Sequence, residues 1–354
     1  MIVLLQNQYE PKKGFDERVS TEMDRIVFNT SALGPMLDWL SERKRTREGD
    51  EERLREILAL PDYKVEFERY SIPSLPVCRI SFEEAVDFFM NFDRKDFGNQ
   101  RLHYKKESFQ AFYDELEERK ADIDAVASLT EDDYGTIESL LRNGLPEELL
   151  EGLPEFNIIL IVSIGNSMGW PYGHYVDFDV ANLQKIKSHD DFLHIIAHEL
   201  HHVLVGPLLA PEGIRGEDFF LQSFAYEGLA MHYMNNLATC GKESKYNDVV
   251  YAVDQEDMAF YGEHFDEIFE MIRRDYRSCI GKTMDEVSRM VSEHYEQFTF
   301  MGKNIRQYPT YYFGCYMWGL VDLRFGKERM YESIAKPQLF VPLYNSVAEE
   351  KYRL

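Results

Sequence analysis

The chain has 354 residues, 44% of them hydrophobic and 14% aromatic, so it can bury a substantial core and disorder is not the expected state. Its 63 acidic residues against 39 basic ones leave a formal charge of -24, a surface that repels phosphate backbones and argues against nucleic acid as a partner. No stretch approaches the roughly 18–20 apolar residues of a membrane span, so no membrane partner is expected. The four cysteines, Cys78, Cys240, Cys279 and Cys315, are scattered and form no CxxC pair. Free thiols of this kind suit a reducing compartment, so the expected setting is cytoplasmic.

In chain order, the apolar run Ile2 to Leu5 is too short for the core of a signal peptide and reads as a strand. Asp16 to Asn29, Leu33 to Lys44 and Glu51 to Leu60 carry apolar residues at three- and four-residue spacing, which predicts three charged amphipathic helices. Ser81-Phe82-Glu83-Glu84 has a capping-box pattern and opens another helix, and Lys106 to Ala127 continues in the same style. Gly144, Pro146, Gly152 and Pro154 then punctuate the chain and mark the expected lobe boundary. Phe156 to Ile164 (FNIILIVSI) is a continuous apolar, β-branched run, the pattern of a buried strand. After the turn-rich Gly165 to Gly173, residues Tyr175 to Val180 alternate polar and apolar, which predicts an edge or half-exposed strand. Its Asp177 and Asp179 share one face, read as solvated or as facing a cationic substrate. From Ser188 the pattern is helical almost to the end. The fold class is therefore α+β, predominantly α, with one small sheet in mid-chain.

Ser188 can cap a helix whose first turn holds Asp190 and Asp191. That helix carries His198-Glu199-Leu200-His201-His202, an HExxH motif. Residues i and i+4 lie about 40° apart around a helix, so His198 and His202 can converge on one ion. Glu199, rotated by about 100° from His198, stays off the metal but near a water on it. Chance produces the motif in on the order of a few per cent of chains of this composition. Phe192, Ile195, Ile196, Leu200 and Val203 make the helix apolar nearly all round, so its polar groups stand in a core, where unpaired ones are costly. His194, one turn before His198, reads as a satisfied structural histidine.

Two histidines need a third protein ligand. The pattern HExxHxxGxxH is excluded, because positions 205 and 208 hold Val205 and Leu208. A second predicted helix, from about Glu217 to Asn236, puts Glu227 on an apolar stripe with Phe220, Phe224, Met231 and Met234. A carboxylate there is costly unless a charge meets it, and zinc supplies that charge. Glu217 and Asp218 compete for the role, but at the helix start a dipole or solvated role explains them.

Glu227 stands in Ala225-Tyr226-Glu227-Gly228-Leu229-Ala230, 25 residues beyond His202. Over roughly residues 156–235 the chain resembles the gluzincin clan of metallopeptidases, and especially uncharacterised bacterial zinc peptidases of that clan. The resemblance implies a zincin-like catalytic core over 151–240, between a helical N-terminal region, 1–150, and a helical C-terminal lobe, 241–354, that completes the cleft. It implies zinc on His198, His202 and Glu227, with Glu199 as general base. The implied function is a zinc-dependent hydrolase, a peptidase that cleaves a peptide or protein substrate with water activated by the metal.

Two departures from the clan stand out. Many gluzincins place an aspartate four residues after the glutamate ligand to buttress the first histidine, where this chain has Met231. The aminopeptidase signature GxMEN is also missing, with Ile164-Gly165-Asn166-Ser167-Met168-Gly169 in its place. A donor for the developing oxyanion is expected in Tyr308-Pro309-Thr310-Tyr311-Tyr312-Phe313-Gly314, where Tyr311 and Tyr312 are both candidates and aromatic core packing is the competing explanation. Tyr175 to Val180 falls where gluzincins keep an edge strand that pairs with extended peptides. A zinc-binding protein without catalysis and a zinc hydrolase of a non-peptide bond are the alternatives, and an intact Glu199 weighs against the first.

Overall fold

The computed structural model describes residues 26–71, 79–126, 129–150, 155–165, 169–185, 188–236, 250–251, 253–295, 298–305 and 307–354. These are predominantly helical, with one four-stranded mixed sheet. The chain divides into two compact units, neither continuous in sequence: one draws on 14–135 and 154–192, the other on 136–153 and 193–354. No described helix is long and apolar enough to cross a membrane. Cys279 and Cys315 are buried and unbridged, and Cys78 and Cys240 lie outside the described residues.

The sheet belongs to the first unit. Its strands are β1 (Ile26–Asn29), β2 (Phe156–Ile161), β3 (Gly169–Tyr172) and β4 (Tyr175–Asp179), in the spatial order β1-β2-β4-β3. β1, β2 and β4 run parallel, and β3 lies antiparallel to β4. β2 is paired on both sides and buries Phe156 and Ile158 through Ile161, as the apolar run from Ile158 requires. Gly173 and His174 link β3 to β4 so that Tyr172 faces Tyr175, and glycine takes the positive φ of +60° that the first position of such a hairpin demands.

Three expectations need correction. Ile26 to Asn29 is a strand, not the end of a helix, because Ile26 pairs with Phe156 and this distant ladder outweighs the local helical spacing. Residues 2–5 and 16–25 lie outside the described residues. β4 is not an edge strand, since β2 and β3 flank it and leave it no free side for an added peptide. Of the strands that are edges, β3 contains Pro171, which has no N–H to offer. Asp177 and Asp179, finally, are neither solvated nor open to a substrate, at 0% and 1% exposure. Among the helices, Leu33–Thr46 and the capping box at Ser81 stand where the sequence places them. Lys106 to Ala127 instead spans two helices, Gln100–Asp114 and Leu116–Val126.

The two buried aspartates have opposite environments. Asp179 accepts hydrogen bonds from the backbone N–H groups of Ser163 and Ala181 and from the Asn182 amide, and it pairs with the fully buried Lys105. Asp177 has no hydrogen-bond partner for either oxygen among the described residues. Burial pushes its pKa well above the ordinary carboxylate value; Glu66, Asp179 and Asp62 add to the rise and Arg69 opposes it. Neighbouring Glu66 is itself pushed up to about 7 by burial. A carboxyl whose folded pKa is raised keeps its proton in the native state, so its stability is complete below the unfolded pKa of about 3.9 and is lost as pH rises through the folded value. Asp177→Asn should therefore unfold at a higher temperature than wild type at pH 8, with the gap closing towards pH 4. The difference should exceed about 1.4 kcal/mol, the equivalent of one pKa unit. Thermal unfolding across that range checks this, and a gap independent of pH would contradict it.

Candidate metal centre

Three helices of the second unit build the site: the motif helix His189–Val205, which enters this unit at Leu193, the ligand helix Gly216–Tyr233 and the tyrosine helix Pro309–Phe325. From Phe192 to Gly206 every residue is buried except Glu199. Within that stretch the motif helix meets open space at one position. All 18 residues of the ligand helix are buried, the mark of a helix packed on every side. Tyr308, in extended conformation, and Pro309 at the first helical position start the tyrosine helix, as proline's fixed φ favours.

The ligand and tyrosine helices cross with their backbones in contact. A β-carbon at Gly228 would come within 2.1 Å of the Gly314 carbonyl carbon, and one at Gly314 within 2.1 Å of the Phe224 oxygen. Only glycine fits at such a crossing. Gly228 follows Glu227, and Gly314 lies one turn after Tyr311, so the close approach brings those two side chains together. The Tyr311 ring lies nearly parallel to that of His198, with 6.3 Å between centroids, and after burial the Glu227 charge is the largest influence raising the pKa of its hydroxyl. Tyr312 points elsewhere, into the aromatic cluster of Tyr261, Phe265 and Phe313.

His198, His202 and Glu227 converge. Their Nε2 atoms lie 3.0 Å apart, and Glu227 Oε2 lies 3.3 Å from that of His198 and 3.2 Å from that of His202. All three side chains are buried, and among the described residues this is the one group of three or more such side chains able to share a metal ion. Tetrahedral zinc with bonds of about 2.0–2.1 Å needs donors about 3.3 Å apart, so the spacing and the His-His-Glu donor set both fit zinc. The electrostatics point the same way. Burial alone would raise the pKa of Glu227, but the His202 charge and the hydrogen bonds of both histidines outweigh it and hold the carboxyl well below its usual range. Burial alone would lower His198, but its hydrogen bond to Glu227 and the charges of Glu199 and Glu227 raise it. A dry site with this field favours a positive charge between the three groups.

The two histidines are oriented by different contacts. His198 Nδ1 lies 2.6 Å from the Asn235 side-chain oxygen. His202 Nδ1 has no hydrogen-bond partner among the described residues, and its ring stacks on Tyr226 at 3.9 Å, 6° from parallel. Asn235 is the site residue that the sequence analysis missed. The support sought at Met231 comes one turn later, where the chain leaves the ligand helix and Asn236 takes a left-handed φ of +58°. The signal for it is Asn235-Asn236, two asparagines that end an apolar helix and suit such an exit.

The remaining candidates fall outside the trio. His194 meets the Met234 carbonyl and stacks on Tyr251, a structural role. His201 Nε2 lies 2.9 Å from the Tyr331 hydroxyl, and burial, with the nearby His202 and His198, drives its pKa well below the ordinary value. Asp218 and Glu217 pair with Arg215 at the start of the ligand helix.

The chain belongs to the family described as "Putative zinc dependent peptidase (DUF5700)", whose model matches residues 54–352. No curated protein and no solved structure matches it.

Proposed function

We propose that this member of a zinc-dependent peptidase family is a gluzincin-type peptidase, with zinc held by His198, His202 and Glu227. The observation that carries the reading is the convergence of three buried donors at 3.0–3.3 Å beside Glu199, the one position where the buried stretch of the motif helix is accessible. Bound zinc would supply a Lewis acid that polarises the scissile carbonyl and makes water acidic near neutral pH. Glu199, one residue past a ligand, takes the proton of the attacking water and delivers it to the leaving amine. Tyr311 donates its hydroxyl to the carbonyl oxygen as charge develops there. Burial first, and then Glu227 and Glu199, raise the pKa of this phenol well above 10, so it carries its proton at neutral pH. Tyr312, turned into the aromatic cluster, has no part in the reaction. Because Tyr311 comes from the C-terminal helices, that region completes the site, and the substrate is a peptide or protein.

Profiling against a diverse peptide library tests the reading. Amide cleavage should appear, vanish with a chelator and return with zinc. Absence of any chelator-sensitive cleavage would sink the peptidase assignment.

A further inference from the structure

We propose that Asn235 is a positioning residue that fixes His198 in its metal-binding form, an inference that rests on the metal centre proposed above. The Asn235 backbone N–H donates to Ala230 O at 3.3 Å, and its backbone carbonyl accepts from Tyr251 N–H at 3.0 Å. Its side-chain Nδ2 donates to the Tyr251 carbonyl at 3.1 Å. A carbonyl oxygen can only accept, so the amide must present Nδ2 to Tyr251 and Oδ1 to His198. Oδ1 can also only accept, and it lies 2.6 Å from His198 Nδ1. His198 therefore carries a proton on Nδ1, and in the neutral imidazole this leaves the Nε2 lone pair bare and directed at His202 and Glu227. That is the tautomer a metal requires.

The clasp is braced from both sides. The Tyr251 ring stacks on His194 at 3.7 Å and 8° from parallel, and the Met234 carbonyl meets His194 Nδ1. Segments 234–235 and 251 thus grip the motif helix at two successive turns, at His194 and at His198. Among the described residues nothing comparable holds His202, whose ring stacks on Tyr226. A neutral amide also orients the imidazole without adding negative charge to the site, unlike the aspartate of many gluzincins.

Zinc affinity of the full chain, measured by competition with a chromophoric chelator, separates the possible roles of Asn235. Asn235→Leu and Asn235→Ala remove the acceptor, with side-chain size kept in the first and lost in the second. Both should bind zinc about 10–100-fold more weakly than wild type, the usual loss when an outer-sphere partner of a metal-bound histidine is removed. Asn235→Asp keeps an acceptor for His198 but cannot donate to the Tyr251 carbonyl, so it should hold zinc at least as tightly as wild type. Cobalt-loaded Asn235→Leu should show altered d–d absorption, while Asn235→Asp keeps the wild-type band shape. If Asn235→Asp is as weak as Asn235→Leu, the Tyr251 clasp rather than the His198 contact matters and the inference is overturned. Unchanged affinity in Asn235→Leu overturns it as well. A wild-type protein that binds no zinc would instead remove the metal centre itself, a result distinct from either.

Discussion

Glu199→Gln should keep its zinc and lose about two to four orders of magnitude in turnover, the scale of general-base catalysis. The substitution preserves size and hydrogen bonding but removes the basic oxygen. Glu199 is not among the three converging donors, so the metal has no reason to leave. It is also the only residue between Phe192 and Gly206 that is not buried, and so the one placed to meet a substrate water. The zinc content of the variant, set beside its rate on a chelator-sensitive substrate, separates chemistry from metal binding. Near-normal turnover would end the general-base assignment even with metal present.

Tyr311→Phe should lower kcat by about 10²–10³-fold with little change in KM, because the lost donor acts on charge present only in the transition state. Tyr312→Phe is the control. Its ring packs on Tyr261 and Phe313, away from His198 and Glu227, and its removal should leave kcat close to wild type. The reverse order of effects would reject the geometry of the helix crossing as the source of the donor. Equal, small effects from both would leave the oxyanion without a tyrosine and require another donor.

How much of this was legible in the sequence depended on the reach of each interaction. The convergence of His198 and His202 could be read because helical spacing acts within five residues. Glu227 could be read because a carboxylate on an apolar stripe asks for a countercharge. β1 could not, since Ile26 finds its partner at Phe156 and only that pairing makes it a strand. Alternation in β4 correctly puts Asp177 and Asp179 on one face, but no local pattern says that the face is buried. The Lys105 that neutralises Asp179 lies 74 residues away. Tyr311 and Tyr312 are neighbours about 100° apart on one helix, so only the crossing at Gly228 and Gly314 distinguishes them. Asn235 escaped notice because its task depends on an exit from the helix and on Tyr251, both set by tertiary structure.

The central claim is that His198, His202 and Glu227 hold one zinc ion, and elemental analysis of the purified full chain beside its His202→Ala variant tests it most directly. One zinc per chain in wild type is expected, with the metal largely lost in His202→Ala, because two donors cannot replace the closed three-sided site. Equal zinc in the two proteins, or none in wild type prepared with zinc present, would contradict the account.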